Sequence, residues 1–240
     1  MNKRKKIIFS VIFVFSLMLI SFIIILITLS ISDKKEKELY EEQIRQYYDN
    51  KLITYEKENQ SYYDYEVDVA FIGDSLTDAY NLDYYYPEFI VSNRGIGGET
   101  TIGLEKRLKV SVYDLKPKVV VMLIGANNMN TMFDNYENIL IGLKENLPNT
   151  KVILLSLTAM GDNWGKKNQL AAFNNVKIKK LAIKYNYHFI DLYTPLLDPN
   201  TNEVYKGYTI DGGHFTDLGY DVVTSLIKPV LLEILENYSN

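Results

Sequence analysis

The chain has 240 residues, 47% of them apolar, with 26 basic against 30 acidic side chains and no cysteine. That length supports one substantial core, and the lack of thiols excludes a disulfide scaffold, a cysteine nucleophile and cysteine-ligated zinc. Setting aside the cations among the first six residues moves the formal charge of -4 further negative, so the remainder offers no concentrated basic surface and no nucleic-acid role is expected.

Residues 7–31 form a run of 25, of which 20 are apolar and five are Ser or Thr. A helix of that length spans about 37 Å, against about 30 Å for a bilayer core. Lys3, Arg4, Lys5 and Lys6 precede the run, and a mixed-sign stretch beginning at Asp33 follows it. The stronger positive cluster stays cytoplasmic, which places the bulk of the chain outside. A cleaved signal peptide competes, but its apolar region is about 7 to 15 residues and ends at a small-residue site that Ser30 and Ser32 imitate poorly. An uncleaved transmembrane anchor is therefore preferred; cleavage would make the protein secreted without changing its chemistry. The expected division is residues 1–32 as basic stub and anchor, 33–66 as a tyrosine-rich connector, and 67–240 as a catalytic-sized domain. Within the connector Tyr48, Tyr55 and Tyr62 recur every seven residues, which puts them near one helical face as a stalk or as a brace against the domain, with glycan stacking or self-association as the alternatives.

Beyond the connector, residues 67–72, 89–92, 118–124, 151–158 and 187–190 read as short apolar strands bounded by turn residues. Residues 100–115, 133–147 and 168–186 have helical length and partial apolar periodicity between them. A last helix starts near Thr216, a capping hydroxyl, and should kink or restart at Pro229. Five near-continuous apolar strands separated by helices indicate an α/β fold with a central parallel five-stranded sheet covered on both faces. Right-handed crossovers then place the loops after the strands on one rim, where such folds carry their sites.

Three of those loops are rich in polar and small residues: Gly73-Asp74-Ser75-Leu76, Asn93 through Thr100, and Gly125-Ala126-Asn127-Asn128. A fourth, Asp211 through Thr216, precedes the last helix. The serine hydroxyl of Ser75 needs a base, and a neutral imidazole supplies one near neutral pH. Only two histidines exist. His188 lies in an apparent buried strand and reads as structural. His214 is the better base, with Asp211 three residues earlier placed to fix its tautomer and favour the imidazolium. The Ser75 and Gly98 amides and the Asn127 carboxamide form a candidate three-donor oxyanion hole, each donor worth about 3 kcal/mol in a transition state. The glycine-rich second loop matches neither nucleotide-binding spacing. Asp211 and His214 lack the further ligands of a zinc set, so neither metal nor cofactor is called for.

Across roughly residues 67–235 these blocks, in this order, resemble the SGNH hydrolase superfamily, the GDSL-like esterases and lipases. The resemblance implies a flavodoxin-like three-layer fold, the nucleophile role for Ser75, the oxyanion positions for Gly98 and Asn127, and the acid and base positions for Asp211 and His214. Asn128 departs from it, since many relatives carry Asp there. The implied reaction is serine ester hydrolysis through an acyl-enzyme. Related enzymes include carbohydrate deacetylases, and an outward-facing domain meets O-acetylated wall or surface glycans, so a small acyl group on a glycan is the first expectation. Lipid or lysophospholipid esters, acyl transfer to another alcohol, and a non-catalytic tethered glycan-binding protein are the alternatives. Trp164 and Tyr84 are candidate substrate contacts near the entrance.

Overall fold

A computed structural model describes the backbone of residues 3–238 and the side chains of residues 25–238. The chain falls into two compact units, Met1–Asn50 and Lys51–Asn240. One helix, α1 (Lys3–Asn59), supplies all the regular structure of the first unit, where Ile25, Leu26, Ile27, Leu29 and Ile31 are exposed. Among the described residues no helix is long and apolar enough to cross a membrane, and most of the apolar run of residues 7–31 lies outside those whose side chains are described.

The second unit takes in residues 51–59 at the end of α1 and then alternates strands with helices. Its elements are β1 (Val69–Gly73), α2 (Ser75–Asp78), α3 (Leu82–Tyr85), β2 (Val91–Gly95), α4 (Thr101–Leu108), β3 (Val119–Leu123), α5 (Phe133–Asn146), β4 (Lys151–Leu155), α6 (Asn168–Tyr185), β5 (His188–Ile190), α7 (Tyr193–Leu196), the two-residue pair β6 (Leu197–Asp198) and β7 (Glu203–Val204), and α8 (Asp217–Tyr238). The five long strands are all parallel, in the order β2-β1-β3-β4-β5. Strand order reverses beside β1, which opens a crevice at the carboxyl ends of β1 and β3.

Successive strand residues point to opposite faces, so each strand feeds two cores. Ala70, Ile72, Val120, Met122 and Leu154 meet Leu104, Ile139, Leu143 and Ile178 of α4, α5 and α6 on one side. On the other, Val69, Phe71, Val121 and Ile153 meet Leu76 and Leu82 of α2 and α3 with Val223, Ile227 and Leu231 of α8. Each such side chain contributes about 1.5 to 3 kcal/mol by leaving water. This is the three-layer α/β arrangement expected from the apolar runs.

Three local expectations need correction. The helix after the second loop stays α-helical only to Leu108 and widens into a π segment at Lys109–Tyr113, where Ser111 is buried and accepts a 2.9 Å hydrogen bond from Arg107 Nη1. Pro229 does not restart α8, which runs through it because Ile227 and Leu231 on either side are fully buried and hold the backbone in register. His188 is exposed on the edge strand β5 rather than buried, because only its successors Phe189 and Ile190 turn inward.

Candidate active site

Register puts three loops at one height. Gly73 pairs with Gly95 on one side and Leu123 on the other, so the chain leaves β1, β2 and β3 at the same edge of the sheet. Asp74 caps the short helix α2 by accepting the Leu76 amide at 3.1 Å, and this turn lifts the half-buried Ser75 onto its first helical position. No intrahelical carbonyl reaches an amide in that position, which leaves the Ser75 N–H pointing outward from the turn. The Tyr220 hydroxyl of α8 donates to the Leu76 carbonyl at 2.9 Å, fastening the turn to the helix that follows the histidine loop.

His214 Nε2 lies 3.1 Å from Ser75 Oγ, and His214 Nδ1 lies 2.8 Å from Asp211 Oδ2. The other carboxylate oxygen of Asp211 accepts the Gly213 and His214 amides at 2.9 and 2.8 Å, so one short turn builds both the acid and its imidazole. Those amide and imidazole donors favour the ionised carboxylate and hold Asp211 down at about 2. An ionised acceptor at Nδ1 fixes the tautomer in which Nε2 faces the serine as an acceptor. The loop after β4 is tied to this turn by the Gly161 amide donating to Gly212 O at 2.8 Å; a side chain at Gly212, with φ of 86°, would strike the Gly161 carbonyl.

Gly98 sits in the left-handed region at φ 75°, exposed, and among the described residues no hydrogen bond engages its amide. Asn127 Nδ2 donates to the Glu99 carbonyl at 2.8 Å, which orients the carboxamide beside the Gly98 loop while leaving its second N–H for a ligand. Asn128, the departure from the family pattern, faces away from the serine: its Nδ2 donates to Thr101 Oγ1 at 2.9 Å and its Oδ1 accepts the Thr101 amide.

Ser75, Asn127, Trp164 and His214 line a cavity of about 90 Å³, walled also by Leu76, Ala126, Thr158 and Met160. Trp164 is 40% exposed there, with Lys167 Nζ 4.6 Å above its ring. Tyr84 is not among the lining residues; it is 72% exposed on α3 and packs edge-on against Tyr85. Asn168 clamps the Met160 backbone, accepting from its N–H at 2.8 Å and donating to its carbonyl at 2.7 Å. Among the described residues no cluster of three metal-ligating side chains occurs.

Two groups escaped the sequence reading. Asp74, named there only as part of the first loop, is fully buried: its Oδ2 has no hydrogen-bond partner and burial pushes the carboxyl up to about 7. Arg107 of α4 is also buried and reaches Glu99 Oε2 at 2.9 Å, Arg94 O at 2.8 Å and Gly73 O at 3.0 Å, stitching the first two loops together. Nothing in a helix written Lys-Arg-Leu-Lys marks one of its cations as internal.

Comparison with known proteins places this geometry. Human platelet-activating factor acetylhydrolase IB subunit alpha2 is 29% identical over 192 residues, covering 72% of this chain and 80% of the relative. Among solved structures, a Streptococcus pneumonia protein assigned as a platelet activating factor superposes with a TM-score of 0.73 at 25% identity, over 81% of this chain and 97% of that one. A GDSL-like lipase from Bacteroides thetaiotaomicron gives 0.67 at 25% identity, over 76% and 97% of the two chains. The family model of the GDSL-like lipase/acylhydrolases matches residues 71–222, which spans the four loops that carry Ser75, Gly98, Asn127 and His214. The chain belongs to that family and is an SGNH/GDSL-type serine esterase.

Proposed function

We propose that the protein removes small acyl groups, acetyl foremost, from surface or wall glycans outside the cytoplasm, while anchored by its N-terminal apolar run. The unbroken hydrogen-bonded chain from Ser75 through His214 to Asp211, at the mouth of a cavity of about 90 Å³, carries this reading. Ser75 Oγ attacks the acyl carbonyl as His214 Nε2 takes its proton, and Asp211 steadies the resulting imidazolium. The Ser75 and Gly98 amides and Asn127 Nδ2 receive the negative charge that develops on the carbonyl oxygen. His214 then protonates the departing alkoxide, and next draws a proton from water as the hydroxyl attacks the acyl-enzyme and Ser75 is released.

The size of the cavity supports a short acyl group, since it is smaller than the roughly 150 Å³ that accommodates a benzene ring. The acetylhydrolase relative points the same way. Trp164, exposed beside the serine, offers an aromatic face to a sugar ring. For location, the support is the 20 apolar residues of the run behind four cations, together with the exposure of every large apolar side chain described between residues 25 and 31. A lipid ester is the second reading, favoured by Ile210 and Leu218, 74% and 58% exposed on either side of the histidine turn.

A panel of acetyl, butyryl and long-chain esters, run on both acetylated glycan and lipid alcohols with the released acid identified, tests the proposal. Acetyl glycan should turn over fastest, and Ser75→Ala should lower kcat by about 10⁴-fold or more. A clear preference for long acyl chains, or unchanged turnover in the Ser75 variant, rejects it.

A further inference from the structure

The end of α1, residues 51–59, lies outside the segment that matches the family, yet it packs against the loop that presents Gly98. Tyr55 is 2% exposed, and its hydroxyl donates to the Gly95 carbonyl at 2.6 Å. Its ring carries the guanidinium of Arg94 at 4.7 Å, and Arg94 Nη2 lies 3.0 Å from Glu58 Oε2. Arg94 is completely buried; Tyr55 gives it an aromatic face and Glu58 a countercharge, while neither terminal guanidinium nitrogen makes a hydrogen bond. One turn earlier, Lys51 Nζ holds Asp78 Oδ1 at 2.5 Å, and the other oxygen of Asp78 accepts the Gly97 amide at 3.1 Å.

These contacts alternate with those of Arg107, which comes from the opposite side to Arg94 O and Glu99 Oε2. The backbone is thereby held at the Arg94 and Gly95 carbonyls and the Gly97 amide, with the Glu99 side chain held by Arg107, and among the described residues none engages the amide of Gly98 between them. A donor amide acts on an oxyanion only when it is held to within about 0.5 Å of the productive position. One of these holds, the Tyr55 hydroxyl on the Gly95 carbonyl, comes directly from the helix, and a second, Asp78 on the Gly97 amide, is backed by Lys51 of the helix.

We propose that Tyr55, supported by Lys51 and Glu58, is a positioning residue for the oxyanion hole, setting the Gly98 amide from behind through the Gly95 carbonyl and the Asp78–Gly97 link. The proposal rests on the reading of Gly98 as an oxyanion donor. It differs from simple attachment of helix to domain because it requires a loss confined to the transition state.

The test uses the full chain and p-nitrophenyl acetate, with Tyr55→Phe deleting the hydroxyl while keeping the ring over Arg94, and Lys51→Met cutting the second link independently. Melting temperature, KM, kcat and the inhibition constant of a small alkyl boronic acid, which mimics the tetrahedral adduct at Ser75, are measured for each. Expected is a fall in kcat of about tenfold in either variant, with KM held and boronate affinity falling in the same proportion. If Tyr55→Phe does not fold, Lys51→Met decides. Wild-type turnover that Ser75→Ala abolishes secures the underlying reading first, and a wild type without turnover rejects both. With the wild type active, variants whose kcat and boronate affinity equal the wild type, or whose kcat falls only in step with folded fraction, overturn the positioning role alone.

Discussion

Asp74 places an ionisable group beside Ser75 with one oxygen unpartnered and buried. Burial moves its carboxyl from 3.8 up to about 7, so between those values the unfolded chain has released a proton that the folded chain retains. Stability attributable to this group is therefore greatest below about pH 4, declines as pH rises towards 7, and is level above that. Asp74→Asn keeps the cap on Leu76 and removes the titration. Its melting temperature should be flatter than that of the wild type between pH 4 and 7 and should match or exceed it at pH 8. A wild-type slope retained in the variant would show that the decline belongs to another group. Asp211 has the opposite sign: its lowered value favours the fold above the ordinary carboxylate range, and that contribution fades only as pH falls towards 2. Its side chain is 48% exposed, so solvent screening keeps the effect small.

Among the elements, α6 ends where Asn186 adopts the left-handed conformation, φ 58° and ψ 45°, with its amide bonded to the Ala182 and Ile183 carbonyls. Asn tolerates that region and alanine does not, so Asn186→Ala should cost about 1 kcal/mol in urea denaturation while Asn186→Gly is neutral or mildly stabilising. Equal stability of the alanine variant would mean that the loop relaxes without cost. The five strands were legible because Val, Ile and Leu crowd into runs too short for helices, and each observed strand falls within a few residues of its run. The π segment after α4 and the β6–β7 pair were not, because neither leaves a periodicity. The hydrogen-bonded chain of Ser75, His214 and Asp211 was legible through scarcity, with two histidines in the chain and one of them three residues after an aspartate. The scaffolding behind it was hidden because its partners lie far apart: Tyr55 meets Gly95 across 40 positions, and Arg107 meets Gly73 across 34. Tyr84, near the Ser75 loop in sequence, is 72% exposed on α3 and is not among the residues lining the cavity.

For the whole molecule, the compact unit that holds the site starts at Lys51, ahead of the boundary at residue 67 suggested by composition. The two starting points can be compared directly. A fragment of residues 51–240 should hydrolyse p-nitrophenyl acetate with the kcat of the full chain and remain in the supernatant when membranes are sedimented, while the full chain sediments with them. A fragment of residues 67–240 loses the Tyr55 ring and uncovers Arg94, and should be less stable by about 2 kcal/mol or more in urea, with reduced kcat. Equal stability and turnover of the two fragments would show that residues 51–66 are dispensable.

The clamp of Asn168 on the Met160 main chain separates shape from machinery. Because the backbone there is fixed at both its N–H and its carbonyl by a neighbouring amide, the Met160 thioether, buried among core residues, faces the cavity from a set position. One wall of the cavity is thus set by a side chain hung on an anchored main chain, apart from the residues hydrogen-bonded to Ser75.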